Sequence, residues 1–170
     1  MTRTLSLAAL AAGTIVAASP AAAAPTQARA DALILKPLVL TKLDDLSWGT
    51  ITTTGSGEWA KIDADTGART FSNPAMNVPS DPGKRARFAS SGLNNSFVVL
   101  ELAGPPVLTS AAGDTVNVLS MVLDQNNKVL RTLTPQSQVF FVGVGGTIFV
   151  GANQPSGTYS ANYTLTATYL

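Results

Sequence analysis

The sequence predicts an all-β protein: an antiparallel β-sandwich of the immunoglobulin kind. Segments rich in Val, Ile, Leu and Thr recur roughly every 8–15 residues, separated by Gly, Pro, Asn and Asp. No segment sustains the 3.6-residue periodicity of an amphipathic helix. Residues 157–170 alternate strictly between apolar and polar side chains, which is typical of a half-buried strand.

Residues 1–23 have the organisation of a secretory signal peptide. A short start containing Arg3 precedes an apolar stretch that is too short to span a bilayer, and a run of small residues follows. Cleavage after Ala23 and cleavage after Ala30 both fit the small-residue rule, so the sequence leaves the site open between them. We expect an exported protein that passes through the periplasm to the cell surface or the medium. No later segment is long and apolar enough for a transmembrane helix.

An extension at residues 24–35 is expected to precede a sandwich domain at residues 36–170. The predicted strands, in order, cover residues 32–42, 45–51, 57–72 (as a hairpin), 85–89, 96–102, 115–124, 129–133, 139–142, 147–150 and 157–170. Pro37 lacks a ladder donor, so it favours an edge position or a break between two short strands.

The chain contains no cysteine and no histidine. Ser-His-Asp and Cys-His catalysis are thereby excluded, as are ordinary zinc sites. Without Arg3 the basic and acidic residues balance, which argues against nucleic acid as a partner. The sequence therefore predicts a protein that is not an enzyme and that carries no metal and no cofactor.

Asp65-Thr66-Gly67 is the tripeptide that surrounds the catalytic carboxylate of aspartic proteases. Such a site needs two carboxylates that share a proton in a dry cleft. Here charged residues flank the tripeptide between two strand-like runs. We therefore predict a solvated hairpin turn, in which Asp, Thr and Gly supply local hydrogen bonds and positive φ. Asp63 and Asp65 lack the further oxygen ligands of a calcium loop.

Trp48 and Trp59 are the two tryptophans, and two roles are open to them. Exposed, they would form a stacking platform for a sugar; buried, they would belong to the core. Isolated aromatic residues in strands are more often core residues, so we predict the core for both.

The last strand resembles the C-terminal signature of chaperone–usher pilus subunits. Counted back from Leu170, Tyr169 is penultimate and Gly157 is fourteenth, with alternating apolar residues between them. The resemblance implies that this strand pairs first with a periplasmic chaperone and later borders a groove filled by another subunit. The site residues that it implies on this strand are Gly157, Tyr159, Tyr163, Leu165 and Tyr169.

Three longer segments, "PLVLTKLDDLSWGTI", "IDADTGARTFS" and "GGTIFVGANQPSGTYSANYTLTATYL", resemble the secreted bacterial domain-of-unknown-function family 4402. They are more distantly similar to spore-coat-U-type fimbrial domains, whose "L-x-F-G" element carries a phenylalanine where Trp48 stands. The resemblance implies a sandwich that lacks its final strand and is completed by a strand from a like subunit. Residues 24–35 are the candidate donor strand, with Leu33 and Leu35 on one face.

These features together predict a structural or adhesive surface subunit that is assembled by β-strand complementation into fimbria-like polymers. The expected partners are like subunits and a periplasmic chaperone and usher. The alternative is a self-contained, non-catalytic binding module, for example for carbohydrate, with Trp59 and the glycine-rich loops as contacts.

Overall fold

The computed structural model describes residues 29, 31–32, 34–127, 130–134 and 138–170. In chain order its elements are β1 (Val39–Asp44), β2 (Glu58–Ile62), β3 (Arg69–Phe71), a 3-10 turn (Pro74–Met76), β4 (Ala86–Ser91), β5 (Phe97–Ala103), β6 (Val107–Ser110), β7 (Thr115–Leu123), α1 (Asp124–Asn127), β8 (Leu130–Thr132), β9 (Val139–Val150), β10 (Tyr159–Ser160) and β11 (Thr164–Tyr169). The predicted signal peptide and Leu33 lie outside the described residues.

Two antiparallel sheets form a sandwich. The larger sheet has the order β1-β4-β9-β7-β6-β10, and the β2–β3 hairpin joins it through β9. The smaller sheet has the order β11-β5-β8. Both sheets belong to one compact unit, Ile34–Leu170. The prediction of an all-β antiparallel sandwich is therefore confirmed.

The apolar core divides into two clusters. The first cluster joins the sheets: Val98 and Leu100 of β5 pack with Val142 and Val144 of β9. The second cluster draws its buried members from the larger sheet, its β2 hairpin and the 3-10 turn: Ala60, Met76, Leu108, Val116, Ile148 and Val150. Within the described chain, the smaller sheet thus covers the first cluster and contributes no member to the second.

Strand β9 runs without interruption through a glycine-rich segment that the sequence divides into two predicted strands. A Cβ on Gly143 would lie 2.3 Å from the Ala64 carbonyl oxygen, and one on Gly145 would lie 2.3 Å from the Ile62 carbonyl oxygen. Because these positions carry no side chain, the backbone that follows β2 packs directly on β9. Glycine is depleted in strands unless another backbone approaches closely, and that approach is invisible in the sequence.

The Asp65-Thr66-Gly67 tripeptide lies in the turn between β2 and β3, as predicted. The Asp63 carboxylate accepts hydrogen bonds from the amides of Asp65 (3.1 Å) and Thr66 (2.9 Å) and from the Thr66 hydroxyl (2.9 Å). Gly67 takes a φ of +79°. The bonds from the Thr66 amide and hydroxyl lower the pKa of Asp63. The carboxylate therefore serves as a turn-forming acceptor.

The C-terminal residues form two strands where the sequence predicts one. β10 pairs with β6 in the larger sheet, and β11 pairs with β5 in the smaller sheet. The alternation nevertheless holds along β11, where Leu165 and Tyr169 pack on the first core cluster and the threonines face outward. An apolar–polar alternation gives the face of each side chain, but it does not show where a strand changes sheets.

Candidate strand-binding groove

A groove with a volume of about 730 Å³ opens over the second core cluster. Its floor is apolar and comes from three neighbouring strands of the larger sheet, through Leu108, Val116, Ile148 and Val150. One side is formed by residues 46–53, here called the wall segment. The other side is formed by residues 154–161, here called the C-terminal segment. The groove thus lies over the part of the larger sheet to whose core cluster the smaller sheet contributes no residue.

A smaller cavity of about 40 Å³ continues the groove toward the first core cluster. It shares lining residues with the groove and adds Pro105, Met121 and Tyr163. The Tyr163 hydroxyl is buried and has no hydrogen-bond partner in the described structure. Its burial, assisted by the negative charge of Asp45, raises the pKa of Tyr163 to about 12. This hydroxyl therefore stays protonated and can act as a donor at neutral pH.

The wall segment is held along its outer edge by backbone contacts. Ser47 exchanges two main-chain hydrogen bonds with Lys84, at 2.9 and 2.8 Å, and the Thr52 amide donates to the Met76 carbonyl at 3.0 Å. Gly49 has a φ of +70°, and a Cβ there would lie 2.3 Å from the Asp81 carbonyl oxygen. The segment consequently forms isolated bridges and not the regular strand predicted at residues 45–51.

Arg69 links the wall segment to the neighbouring loop. Its Nη1 donates to the carbonyl oxygens of Trp48 at 2.7 Å and Thr50 at 3.0 Å. Its Nη2 donates to the Asn77 side-chain oxygen at 2.8 Å and to the Val78 carbonyl at 2.9 Å. Four carbonyl-type acceptors are thereby satisfied by one planar group. Nothing in the sequence around Arg69 signals this role.

The two tryptophans occupy different environments. Trp48 packs on the second core cluster and lines the groove, and its indole nitrogen donates to the Gly146 carbonyl at 3.1 Å. Trp59 is 38% exposed on the opposite face of the larger sheet, where it stands beside Phe149. The core prediction is therefore confirmed for Trp48 and wrong for Trp59. In β2 the alternate residue Ala60 points inward, so Trp59 must point outward.

The C-terminal segment is fixed by polar contacts around Tyr159. The Tyr159 hydroxyl donates to the Pro155 carbonyl at 2.7 Å and accepts from the Gln154 side chain at 3.0 Å. Gln154 also donates to the Thr115 carbonyl at 3.0 Å. Because β10 and β11 are end strands of their sheets, each has one edge without a strand partner in the described part of the chain.

The site residues predicted on the last strand fall into two groups. Gly157 and Tyr159 line the groove, and Tyr163 lines the adjoining cavity. Leu165 and Tyr169 pack on the first core cluster and do not line the groove. The sequence predicts a strand at residues 45–51 and a core position for Trp48, but it does not indicate that this segment borders a groove.

The candidate donor strand is described only in part. Leu35 is 44% exposed and Ile34 is 91% exposed, so neither is packed in the core. Leu33 lies outside the described residues. The structure therefore leaves the donor role of Leu33 and Leu35 as a prediction.

The groove presents apolar, hydroxyl and backbone groups. Asp81 is the one charged residue among those that line it, and a hydrogen bond from the Thr50 hydroxyl (2.8 Å) lowers the pKa of its carboxyl group. The described residues contain no group of three or more acidic side chains placed to hold a metal ion. Within the same residues, no helix has the length and apolar character to cross a membrane. This chemistry suits an extended peptide with apolar side chains.

Residues 38–169 match the model of a protein family described as Domain of unknown function (DUF4402). No curated protein matches the chain, and no solved structure matches it. The matched range runs from just before β1 to the last residue of β11, so it includes both sheets and both sides of the groove. The chain therefore belongs to the family of domains of unknown function DUF4402.

Proposed function

We propose that this protein is an exported structural or adhesive surface subunit whose groove accepts a β-strand from another copy of the chain. One observation supports the proposal above all. The second core cluster is bordered by two chain segments with a gap between them, while the smaller sheet covers only the first cluster. A strand in that gap would complete the second layer of the sandwich.

The groove favours an extended strand over a compact ligand. Each side of the groove is a continuous chain segment of eight residues, 46–53 and 154–161. Main-chain groups of Ile51 and Thr53 have no hydrogen-bond partner in the described chain beyond the Ile51–Asn77 bridge, so a neighbouring backbone can pair with them. Pairing by main-chain hydrogen bonds with apolar side chains in the groove is the chemistry of β-strand addition.

The donor in this proposal is residues 24–35 of a second copy. Leu33 and Leu35 would enter the groove together, and their burial is worth ~3–6 kcal/mol on the area scale. Each new main-chain hydrogen bond adds about 1 kcal/mol. Because the total stability of a domain is ~5–15 kcal/mol, such an exchange can hold subunits together without covalent bonds. A periplasmic chaperone would occupy the groove before assembly.

Deletion of the donor tests the proposal. The chain from residue 24 should form polymers that remain intact in denaturing gel electrophoresis of unheated samples and dissociate when the samples are heated. The chain from residue 36 should remain folded by circular dichroism and elute as a monomer, with polymerisation blocked. Loss of the β signal in the shorter chain would mean that residues 24–35 belong to the protein's own fold, and it would overturn the donor assignment.

Cysteine trapping gives a second test, because the natural chain has no thiol that could interfere. We expect Leu35→Cys in one copy to form an intermolecular disulfide with Thr158→Cys in another, since Thr158 lines the groove. Thr41→Cys is the matched control, because Thr41 is an exposed threonine in β1 outside the groove. Equal cross-linking to both positions would contradict insertion into the groove.

Carbohydrate binding is the second candidate function, and the exposed aromatic pair favours it. Trp59 and Phe149 stand side by side on the outer face, with Asn117 next in register as a hydrogen-bonding neighbour. Aromatic faces with an adjacent amide are suited to stack on and bond to a sugar ring. Glycan-array binding that is lost in Trp59→Ala and retained in Phe141→Ala, another exposed aromatic residue, would support it.

A further inference from the structure

We infer that Arg69 positions the wall segment and so keeps the groove open in the width that an incoming strand requires. The consequence for strand binding rests on the proposed function. The positioning itself concerns contacts within this chain and can be measured without any ligand.

Arg69 makes four hydrogen bonds in two directions. Two of them reach the wall segment, at the carbonyls of Trp48 and Thr50, and two reach the loop behind it, at Asn77 and Val78. One rigid group thus fixes the separation between wall and loop. A lysine has a single ammonium on a flexible stem and cannot bridge the same four acceptors in that planar geometry.

The guanidinium group of Arg69 is itself held in place by an aromatic ring. It lies over the Phe71 ring, with 4.8 Å between the guanidinium carbon and the ring centroid. Phe71 packs on the second core cluster, and its strand β3 pairs with β2, which pairs with β9. Contacts through Arg69 and Phe71 therefore connect the wall segment to the sheet that forms the groove floor.

Trp48 connects Arg69 to the floor of the groove. Its carbonyl accepts from Arg69, while its indole donates to Gly146 in β9 and packs on the second cluster. A displaced wall segment would withdraw Trp48 from the floor and change the width of the groove. A preformed groove binds a strand more tightly, because less ordering accompanies binding.

Trp48 also supplies the readout. In the chain carrying Trp59→Phe, Trp48 is the one tryptophan. The quenching of its fluorescence by acrylamide therefore reports the position of the wall segment. Arg69→Lys and Arg69→Gln should each raise the quenching constant severalfold with an unchanged far-ultraviolet circular dichroism spectrum. Arg87→Gln is the matched control: Arg87 also lies over an aromatic ring, Phe141, at 5.9 Å, but it is not among the residues that line the groove.

The same variants are then titrated with a synthetic peptide of residues 24–36. Loss of the bridging bonds should weaken peptide binding on the order of tenfold in Arg69→Lys, with no change in Arg87→Gln. If Trp48 becomes accessible but no protein binds the peptide, the positioning role stands and the proposed function fails. If Trp48 quenching is unchanged in both Arg69 variants, the positioning role is overturned. Should Arg69→Gln fail to fold, Arg69→Lys and hydrogen exchange at the wall amides decide the question.

Discussion

The Tyr169 hydroxyl donates a hydrogen bond to the carbonyl oxygen of Lys36 at 3.0 Å, across 133 positions of sequence. The Tyr169 hydroxyl oxygen in turn accepts a hydrogen bond from the Leu93 amide at 2.6 Å. Gly92 makes room for it, because a Cβ there would lie 2.3 Å from the hydroxyl. The end of β11 is thereby tied to the segment that leads into β1.

Tyr169→Phe should therefore destabilise the domain by about 1–3 kcal/mol, because it leaves the Leu93 amide without its partner. Urea denaturation monitored by circular dichroism measures the change as a shift of the midpoint with a constant slope. A free energy of unfolding within error of the wild type would mean that water replaces the hydroxyl without cost.

Tyr163→Phe, in contrast to Tyr169→Phe, should not lower the free energy of unfolding. The Tyr163 hydroxyl is buried and has no hydrogen-bond partner in the described structure, so its removal ends the cost of burying a polar group. We expect the free energy of unfolding to stay level or to rise by about 1 kcal/mol. A loss as large as that of Tyr169→Phe would show that the hydroxyl binds a partner in solution.

The same tyrosine should make the stability of the folded protein depend on pH in the alkaline range. The pKa of Tyr163 is raised from 10.0 to about 12 in the folded protein, so the protonated phenol is favoured by folding. That contribution is fully present below pH 10, declines as the pH rises, and is lost above about 12. Unfolding free energies measured across this window should fall more steeply in the wild type than in Tyr163→Phe. If the unfolding free energies of the two proteins fell in parallel with pH, the raised pKa of Tyr163 would be contradicted.

Asp63 and Asp65 should differ in their effect on stability. Asp63→Ala removes the acceptor of three bonds in the turn and should cost about 1 kcal/mol. Asp65→Asn should be close to neutral, because the Asn side chain retains the oxygen that accepts from the Gln125 amide. Thermal unfolding of both variants decides the matter, and protease activity that Asp65→Asn abolished would overturn the turn interpretation.

The two tryptophans should also differ in their contribution to stability. Trp48→Ala removes a residue packed on the second cluster and its bond to Gly146, with an expected loss of about 3 kcal/mol. Trp59→Ala on the outer face should cost about 1 kcal/mol or less. A larger loss for Trp59 than for Trp48 would contradict the structure.

The sequence predicts the local features of this protein better than its long-range ones. Alternation correctly gives the inward face of β11, and the Asp65-Thr66-Gly67 turn follows from residue chemistry within a few positions. The sequence does not indicate strand β6 (Val107–Ser110), because this strand is short and directly follows two prolines. The uninterrupted course of β9 depends on a backbone that packs on its glycines from about 80 positions away in sequence.

The groove itself could be predicted only in part. Gly157, Tyr159 and Tyr163 were identified on the last strand, and each lines the groove or its adjoining cavity. The opposite side depends on Arg69, whose four acceptors come from two separate stretches of the chain. A single charged side chain shows no periodicity, so such a bridge has no signature in one sequence.

Strand β9 has a mechanical consequence. Its first half pairs with β4, which in turn carries β1, and its second half supplies Ile148 and Val150 to the groove floor. In the proposed polymer, the pulling force acts on one side at the start of β1, which is in register with the Val139 end of β9. On the other side it acts on the inserted strand of the neighbouring subunit, which lies near Val150 at the other end of β9. The β4–β9 hydrogen bonds would then be loaded in shear, so that they resist together and not one after another. Within each subunit of such a filament, the load would be shared by hydrogen bonds that resist together, in a chain that has no cysteine to cross-link it.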